Sequence, residues 1–341
     1  MAERATAISA IWRRPGRLWM PLSVAVLLAT VVPLLVGGEA LWQSPPDVSP
    51  ALLAGMLGMV LAGWNLNALR LRLLLAGRAG RLRQHRALGL VVATEFAICA
   101  SPAGSGGPVT LLILLARRGL RPARASAIFL IDQCCDLLFF LLALTGIAAW
   151  QLAGAMVEPH AGLLVSALAG LVVLLAAPLL VGWRLPALLR WAPGRLPRRR
   201  RRALARRLLA FRHALLVTLR LPTATLVAIM LLCAGHWMLR YSLLYLSLTG
   251  IGASIAWSWT FLVQMLSMAA GQLSLLPGGS GAAELSTAAL LLPFTSPDTA
   301  AVAILLWRLV TFHFYLVAGA PVFLYLMTRH QTPQRVGVAP R

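Results

Sequence analysis

Ser101-Pro102-Ala103-Gly104-Ser105-Gly106-Gly107-Pro108 interrupts an apolar stretch that otherwise runs from residue 87 to residue 116. Proline and glycine free backbone N–H and C=O groups that hydrocarbon cannot satisfy, so such a segment must sit in protein or line a wet cavity. Both flanks are basic: Arg78, Arg81, Arg83 and Arg86 precede the stretch, and Arg117, Arg118, Arg121 and Arg124 close it. A single crossing would put one of these blocks outside, against the positive-inside rule. The two halves, about 15 and 9 residues, are also short for full spans at 1.5 Å per residue. The stretch therefore reads as a re-entrant hairpin entered from the cytoplasm. A second break, Leu276-Pro277-Gly278-Gly279-Ser280-Gly281, divides residues 254–294, and no arginine flanks it. It reads as a second hairpin, entered from the opposite side.

Composition agrees. Of 341 residues, 60% are hydrophobic and 12% charged, and mean hydropathy is +0.81. A soluble fold would leave far too much apolar surface in water, so soluble enzyme, disordered chain and secreted disulfide scaffold are disfavoured. The 31 basic residues are all arginine, against 9 acids, for a net charge of +22. In a soluble protein that charge would point to nucleic acid. Here the arginines lie in short blocks between apolar runs, as cytoplasmic loops do, and no nucleic-acid partner is expected. Cys99, Cys134, Cys135 and Cys233 lie inside apolar runs without a CxxC pair, a spacing that supports neither zinc nor a disulfide framework. No metal or cofactor is expected.

Around the breaks, six crossings are expected, near 18–36, 51–69, 125–150, 161–183, 222–248 and 299–327. The first follows four arginines and is long enough to span, so it reads as an uncleaved helix. Residues 184–220 hold 12 arginines and no acid, which assigns that arm to the cytoplasm together with both termini. Within it, Leu204, Leu208, Phe211 and Leu215 form one stripe between Pro197 and Leu219, the pattern of an interfacial helix drawn to anionic lipid. The expected fold is all-α: a single polytopic domain over 1–341, with six transmembrane helices and two oppositely oriented hairpins. Its inverted-repeat halves fall at about 51–150 and 222–327, a plan that recurs among transporters. The alternative is eight plain, kinked spans.

Ionisable residues inside spans are costly and usually functional. They are Glu95, Asp132, Asp136, Arg240, Glu284 and Arg308, with His236 and His313. Asp132 and Asp136 share a helix face, as do His236 and Arg240. The histidines read as satisfied core residues, and Arg240 reads either as a cavity residue or as snorkelling to the outer surface. Freed N–H groups at half-helix starts bind anions. The candidate substrate-binding set is therefore both breaks (Pro102, Gly104, Gly106 and Gly107; Pro277, Gly278, Gly279 and Gly281) with Glu95, Asp132, Asp136, Glu284 and Arg308. Arg308 is expected to pair a lipid phosphate with help from the N–H groups around Gly278, Gly279 and Gly281. The acids are expected to set headgroup selectivity or carry a proton. No HExxH, GxSxG, Walker A or Rossmann pattern occurs, so no catalytic residue is assigned.

The segments Thr94-Glu95, Pro102-Ala-Gly-Ser-Gly-Gly107 and Asp132-Gln-Cys-Cys-Asp136, with Leu276-Pro-Gly-Gly-Ser-Gly-Ala-Ala-Glu284 and Trp307-Arg308, resemble the lysylphosphatidylglycerol synthase transmembrane region, a flippase-like family. The similarity covers roughly 15–330, and the PGGxGxxE element with its later arginine is the most specific part. The family often has Glu-Arg where this chain has Asp132-Gln133. The resemblance implies a bacterial inner-membrane protein that moves a phospholipid or modified lipid between leaflets, with anionic or modified membrane lipids as partners. The bifunctional members' soluble aminoacyl-transferase domain is not expected here. Two rival readings are a scaffold that binds a lipid-modifying enzyme through 184–220, and an integral-membrane lipid transferase. No residue pattern specifies an oligomer.

Overall fold

A computed structural model of the chain describes residues 16–38, 48–76, 82–153, 165–174 and 220–328, with isolated positions between 162 and 217. In order, the helices are α1 (Gly16–Gly37), α2 (Pro50–Leu75), α3 (Gln84–Cys99), α4 (Gly106–Arg117), α5 (Pro122–Ala153), α6 (Thr223–Gly250), α7 (Trp257–Leu273), α8 (Ala282–Leu291), α9 (Pro297–Arg308) and α10 (Phe314–Thr328), with one π-helical turn, Leu309–His313, joining the last two. No strand occurs among the described residues. The protein is an all-α, multi-pass membrane protein.

Among the described residues, five helical segments are long and apolar enough to cross a membrane: Met20–Gly37, Pro50–Leu75, Pro122–Trp150, Thr223–Gly250 and Pro297–Thr328. They coincide with five of the six crossings expected from the sequence. The sixth, 161–183, is described only in part, with an apolar helical stretch over Val165–Leu174. The arginine-rich arm 184–220 also lies outside them, apart from isolated positions.

One boundary differs instructively. The second crossing continues through Arg70 and Arg72 to Leu75 instead of ending at residue 69. Leucine and arginine are both good helix formers, and each guanidinium finds a partner without leaving the helix. Arg72 donates to the Leu82 carbonyl at 2.8 Å and to Gln84 at 3.0 Å.

The chain divides into two compact units. The first comprises Met1–Leu61, Val92–Thr110 and Leu239–Met327; the second comprises Ala62–Val91, Leu111–Met238 and Thr328–Arg341. In the first, α9 packs on α1, and α8 packs on α1, α7 and α9. The contact between α1 and α9 is made close by small residues: Ala25, Ala29, Ala300, Ala301 and Ala303 are all fully buried. Without a hydrophobic drive between helices in lipid, such small residues let backbones approach and gain dispersion energy. In the second unit, Leu71, Leu74, Leu75, Leu115, Ile128 and Leu144 are buried, and Phe140 packs on Trp237 with ring centroids 4.8 Å apart. At its basic flank, burial pushes the Arg118 guanidinium below the usual arginine range, and Arg86 adds like-charge repulsion.

The two Pro/Gly breaks are short turns within the first unit, and they are built alike. Ala103 and Gly104 have φ of 49° and 66°, and Gly278 and Gly279 have 61° and 68°. Gly104 N–H donates to Ser101 O and Gly279 N–H to Leu276 O; Ser105 and Ser280 N–H donate to the preceding Pro102 and Pro277 carbonyls. The two serine hydroxyls repeat those last bonds, at 2.9 and 3.0 Å. The turns also pair: Pro102 and Pro277 form an antiparallel bridge. Antiparallel pairing of equivalent residues is what a local two-fold axis produces.

Candidate functional site

The site is built in the first unit, on the second break. α8 starts at Ala282, and Glu284 in its first turn is fully buried. Its Oε2 accepts the Gly281 N–H at 2.6 Å, satisfying a donor that the start of the helix leaves without a partner. Its Oε1 lies 2.6 Å from Arg308 Nε. Arg308, at the end of α9, is 2% exposed. Its Nη1 donates to the Gly278 carbonyl at 3.3 Å, and its guanidinium carbon lies 4.9 Å from the Trp307 ring centroid. Its Nη2 is buried and has no hydrogen-bond partner. The π-helical turn begins at the next residue; such widened turns are frequent at functional sites.

Close backbone approach shapes the walls. A Cβ on Gly279 would lie 2.7 Å from Gly271 Cα on α7, and one on Gly278 would lie 2.2 Å from the Phe312 ring. Both positions also have left-handed φ, which only glycine adopts without steric cost.

A second ion pair lies in the same unit. Arg240 Nη1 donates to Glu95 Oε2 at 3.1 Å, and the guanidinium sits 5.0 Å from the Tyr315 ring centroid. Arg240 therefore does not snorkel to a surface. Gln264 on α7 donates from Nε2 to the Arg240 carbonyl at 3.2 Å. Arg240, Gln264, Gly271, Gly278, Gly279 and Arg308 line a cavity of about 30 Å³. That volume holds roughly two waters, or the leading oxygens of a phosphate.

One expectation needs correction: the N–H groups of Gly279 and Gly281 are taken, by Leu276 O and Glu284 respectively. The second break faces Arg308 with the Gly278 carbonyl, and the guanidinium offers a free donor at Nη2. Likewise Gly106 N–H is held by Ser101 Oγ at 2.7 Å, and Gly104 and Gly107 N–H by local carbonyls. Tight turns consume their own donors. Glu95, Pro102, Gly104, Gly106, Gly107, Pro277, Gly278, Gly279, Gly281, Glu284 and Arg308 belong to the first unit, whereas Asp132 and Asp136 belong to the second.

In that second unit, the partner of both aspartates is Arg70, 1% exposed. Arg70 Nε donates to Asp132 Oδ1 at 2.7 Å and Nη1 to Asp136 Oδ1 at 2.7 Å. Asp136 Oδ1 also accepts from Trp237 Nε1 at 2.8 Å and Cys233 Sγ at 3.3 Å. His236 Nδ1 lies 3.0 Å from the Gly63 carbonyl. His313, in the first unit, has Nδ1 3.1 Å from the Arg308 carbonyl.

Sequence reading missed Arg70 and Gln264. Arg70 opens a block of arginines and looks like its first cytoplasmic member. The available signal was that Asp132 and Asp136 share a helix face and need a buried cation. Gln264 is uncharged, so a search for ionisable residues passes over it.

These features define a class: a polytopic helical membrane protein whose paired Pro/Gly turns carry buried ion pairs. The chain belongs to the family described as the lysylphosphatidylglycerol synthase TM region, which matches residues 22–319. It is also 22% identical over 307 residues to a UPF0104 membrane protein of Archaeoglobus fulgidus, covering 87% of this chain and 93% of the relative.

Proposed function

We propose that this chain is a lipid translocase of the bacterial inner membrane that moves a phospholipid or modified lipid between leaflets. The observation that carries the reading is the buried Arg308 guanidinium, which keeps Nη2 unpaired on the wall of a cavity beside the second break. A buried donor of this kind favours an anionic oxygen, and a lipid phosphate supplies one while its acyl chains stay in the bilayer. Glu284 acts as a positioning residue: both of its oxygens are engaged in holding the turn and Arg308. Arg240, also on the wall, is paired with Glu95 as Arg308 is with Glu284, so each guanidinium of the cavity has its counter-ion. Asp132 and Asp136 carry two negative charges against Arg70 and are the better candidates for a proton carrier. The chain acts as a transporter rather than an enzyme.

The two helix–turn–helix segments, α3–α4 and α7–α8, are re-entrant hairpins in this reading, and the chain is a single polytopic domain with both termini cytoplasmic. Their helices of 16, 12, 17 and 10 residues are at most about 26 Å long, short of a ~30 Å hydrocarbon core. The like-built, antiparallel turns at Pro102 and Pro277 support an inverted repeat.

The test is transbilayer movement of a fluorescent phospholipid in vesicles of phosphatidylethanolamine and phosphatidylglycerol holding the purified protein. Arg308→Gln combined with Glu284→Gln removes both charges together, so no lone buried charge remains. This variant should stay folded and lose translocation. Wild-type rates from the folded double variant would sink the mechanism, and no movement by the wild-type protein would sink the function.

A further inference from the structure

We infer that Gln264 is a specificity determinant, and that the ligand is a phosphodiester lipid whose headgroup bears an N–H or O–H donor. This inference rests on the translocase reading and narrows its substrate class. Gln264 is 1% exposed. Its Nε2 donates to the Arg240 carbonyl at 3.2 Å. Turning the amide over would set its oxygen against that carbonyl, so the orientation is determined by chemistry. Oε1 is left buried without a donor.

The cavity thus presents unmet demands of both senses. Arg308 Nη2 and Trp307 Nε1 lack an acceptor, and Gln264 Oε1 lacks a donor. All three residues line the same space. Water can satisfy both, since the volume admits about two molecules. A ligand that displaces this water must reproduce its bonds or lose affinity. A bare anion satisfies Arg308 but brings a negative oxygen toward the Gln264 carbonyl oxygen. A phosphodiester with an ammonium or hydroxyl donor in its headgroup satisfies both at once. Phosphocholine supplies the phosphate, but its trimethylated nitrogen has no N–H to give. An acceptor left buried and unpaired is costly enough to separate these headgroups by about tenfold.

The experiment uses the full-length protein in mild detergent with an equimolar mixture of synthetic phosphatidylethanolamine, phosphatidylglycerol and phosphatidylcholine of identical acyl chains. Retained lipid is read by native mass spectrometry. The wild-type protein should retain each of the first two about tenfold over phosphatidylcholine. Gln264→Leu, which keeps the bulk and removes the acceptor, should bring the ratios within about twofold. Equal retention of phosphatidylcholine by the wild-type protein overturns the inference, and that comparison needs no variant to fold. A folded Gln264→Leu or Gln264→Met protein that keeps the tenfold preference also overturns it. Glycerophosphoethanolamine, the water-soluble headgroup, is added at the same concentration as a competitor; if it displaces the lipid, the lipid assignment is overturned. The same three lipids in the translocation assay separate the two readings. Equal rates for all three remove the selectivity alone, whereas no movement of any removes the translocase reading beneath it.

Discussion

Replacing Glu284 by glutamine tests whether the second break is held by charge or only by shape. The side chains differ by one atom, so packing is kept. In the wild type, Oε2 accepts from Gly281 N–H and Oε1 faces Arg308 Nε, each at 2.6 Å. An amide has one acceptor, so its NH2 must face a donor in either orientation. The Arg308 guanidinium, 2% exposed, then keeps its charge without a counter-ion. Breaking a buried pair in this way costs about 3–5 kcal/mol, most of it the penalty of the stranded charge. In a chain of this size that lowers the melting temperature by about 4–7 °C. Adding Arg308→Met removes the stranded charge, and the introduced amide can still accept the Gly281 N–H. The double variant should therefore be more stable than Glu284→Gln alone, within about 2 °C of wild type. Intrinsic tryptophan fluorescence of the detergent-purified protein, scanned at a fixed heating rate, reads all four corners of the cycle. A Glu284→Gln melting temperature within about 2 °C of wild type would refute the reasoning. So would a double variant whose loss equals the sum of the singles, because additivity means no coupling.

The same physics predicts that Arg70→Ala, which leaves Asp132 and Asp136 without their shared cation, destabilises the protein by at least about 3 kcal/mol; the thermal scan checks it, with Asp132→Asn/Asp136→Asn/Arg70→Met as the rescuing variant. Gly279→Ala combines a left-handed φ of 68° with a contact 2.7 Å from Gly271 Cα. It should reduce yield of folded protein by gel filtration, while Gly58→Ala, where nothing lies within 4 Å, should not. Topology is checked with single cysteines in a background where the native cysteines are replaced. Arg83→Cys and Arg121→Cys should react with a membrane-impermeant maleimide from the same side, and Ala253→Cys and Ser296→Cys from the other. Opposite-side labelling within either pair would turn that hairpin into ordinary spans.

Much of the architecture was legible because the signals are local. Crossing segments announce themselves by apolar length, and the helices α1, α2, α5, α6 and the α9–α10 pair lie where the apolar runs predicted. Both breaks were visible as Pro/Gly clusters placed in opposed halves of an inverted repeat. Set proline against proline, Pro102-Ala-Gly-Ser-Gly106 and Pro277-Gly-Gly-Ser-Gly281 superimpose in pattern, and the turns have matching φ and hydrogen bonds. Counted from its own proline, exposed Gln133 holds the place that buried Arg308 holds in the second half. Only the second half supplies the guanidinium.

By itself the sequence determined that the chain lives in a membrane, where most crossings run, where the backbone must break, and that Glu284 and Arg308 belong beside the second break. Those are consequences of hydrocarbon as a solvent, which demands apolar side chains and internal backbone hydrogen bonds residue by residue. The tertiary structure decided which cation meets which acid: Arg308 with Glu284, Arg240 with Glu95, and Arg70 with Asp132 and Asp136. It also decided that the Gly279 and Gly281 N–H groups are consumed in their turn and that Gln264, on the cavity wall, keeps an unmet oxygen. Pairing depends on the rotation and packing of helices far apart in sequence. A buried charge selects its partner only once those helices are in contact.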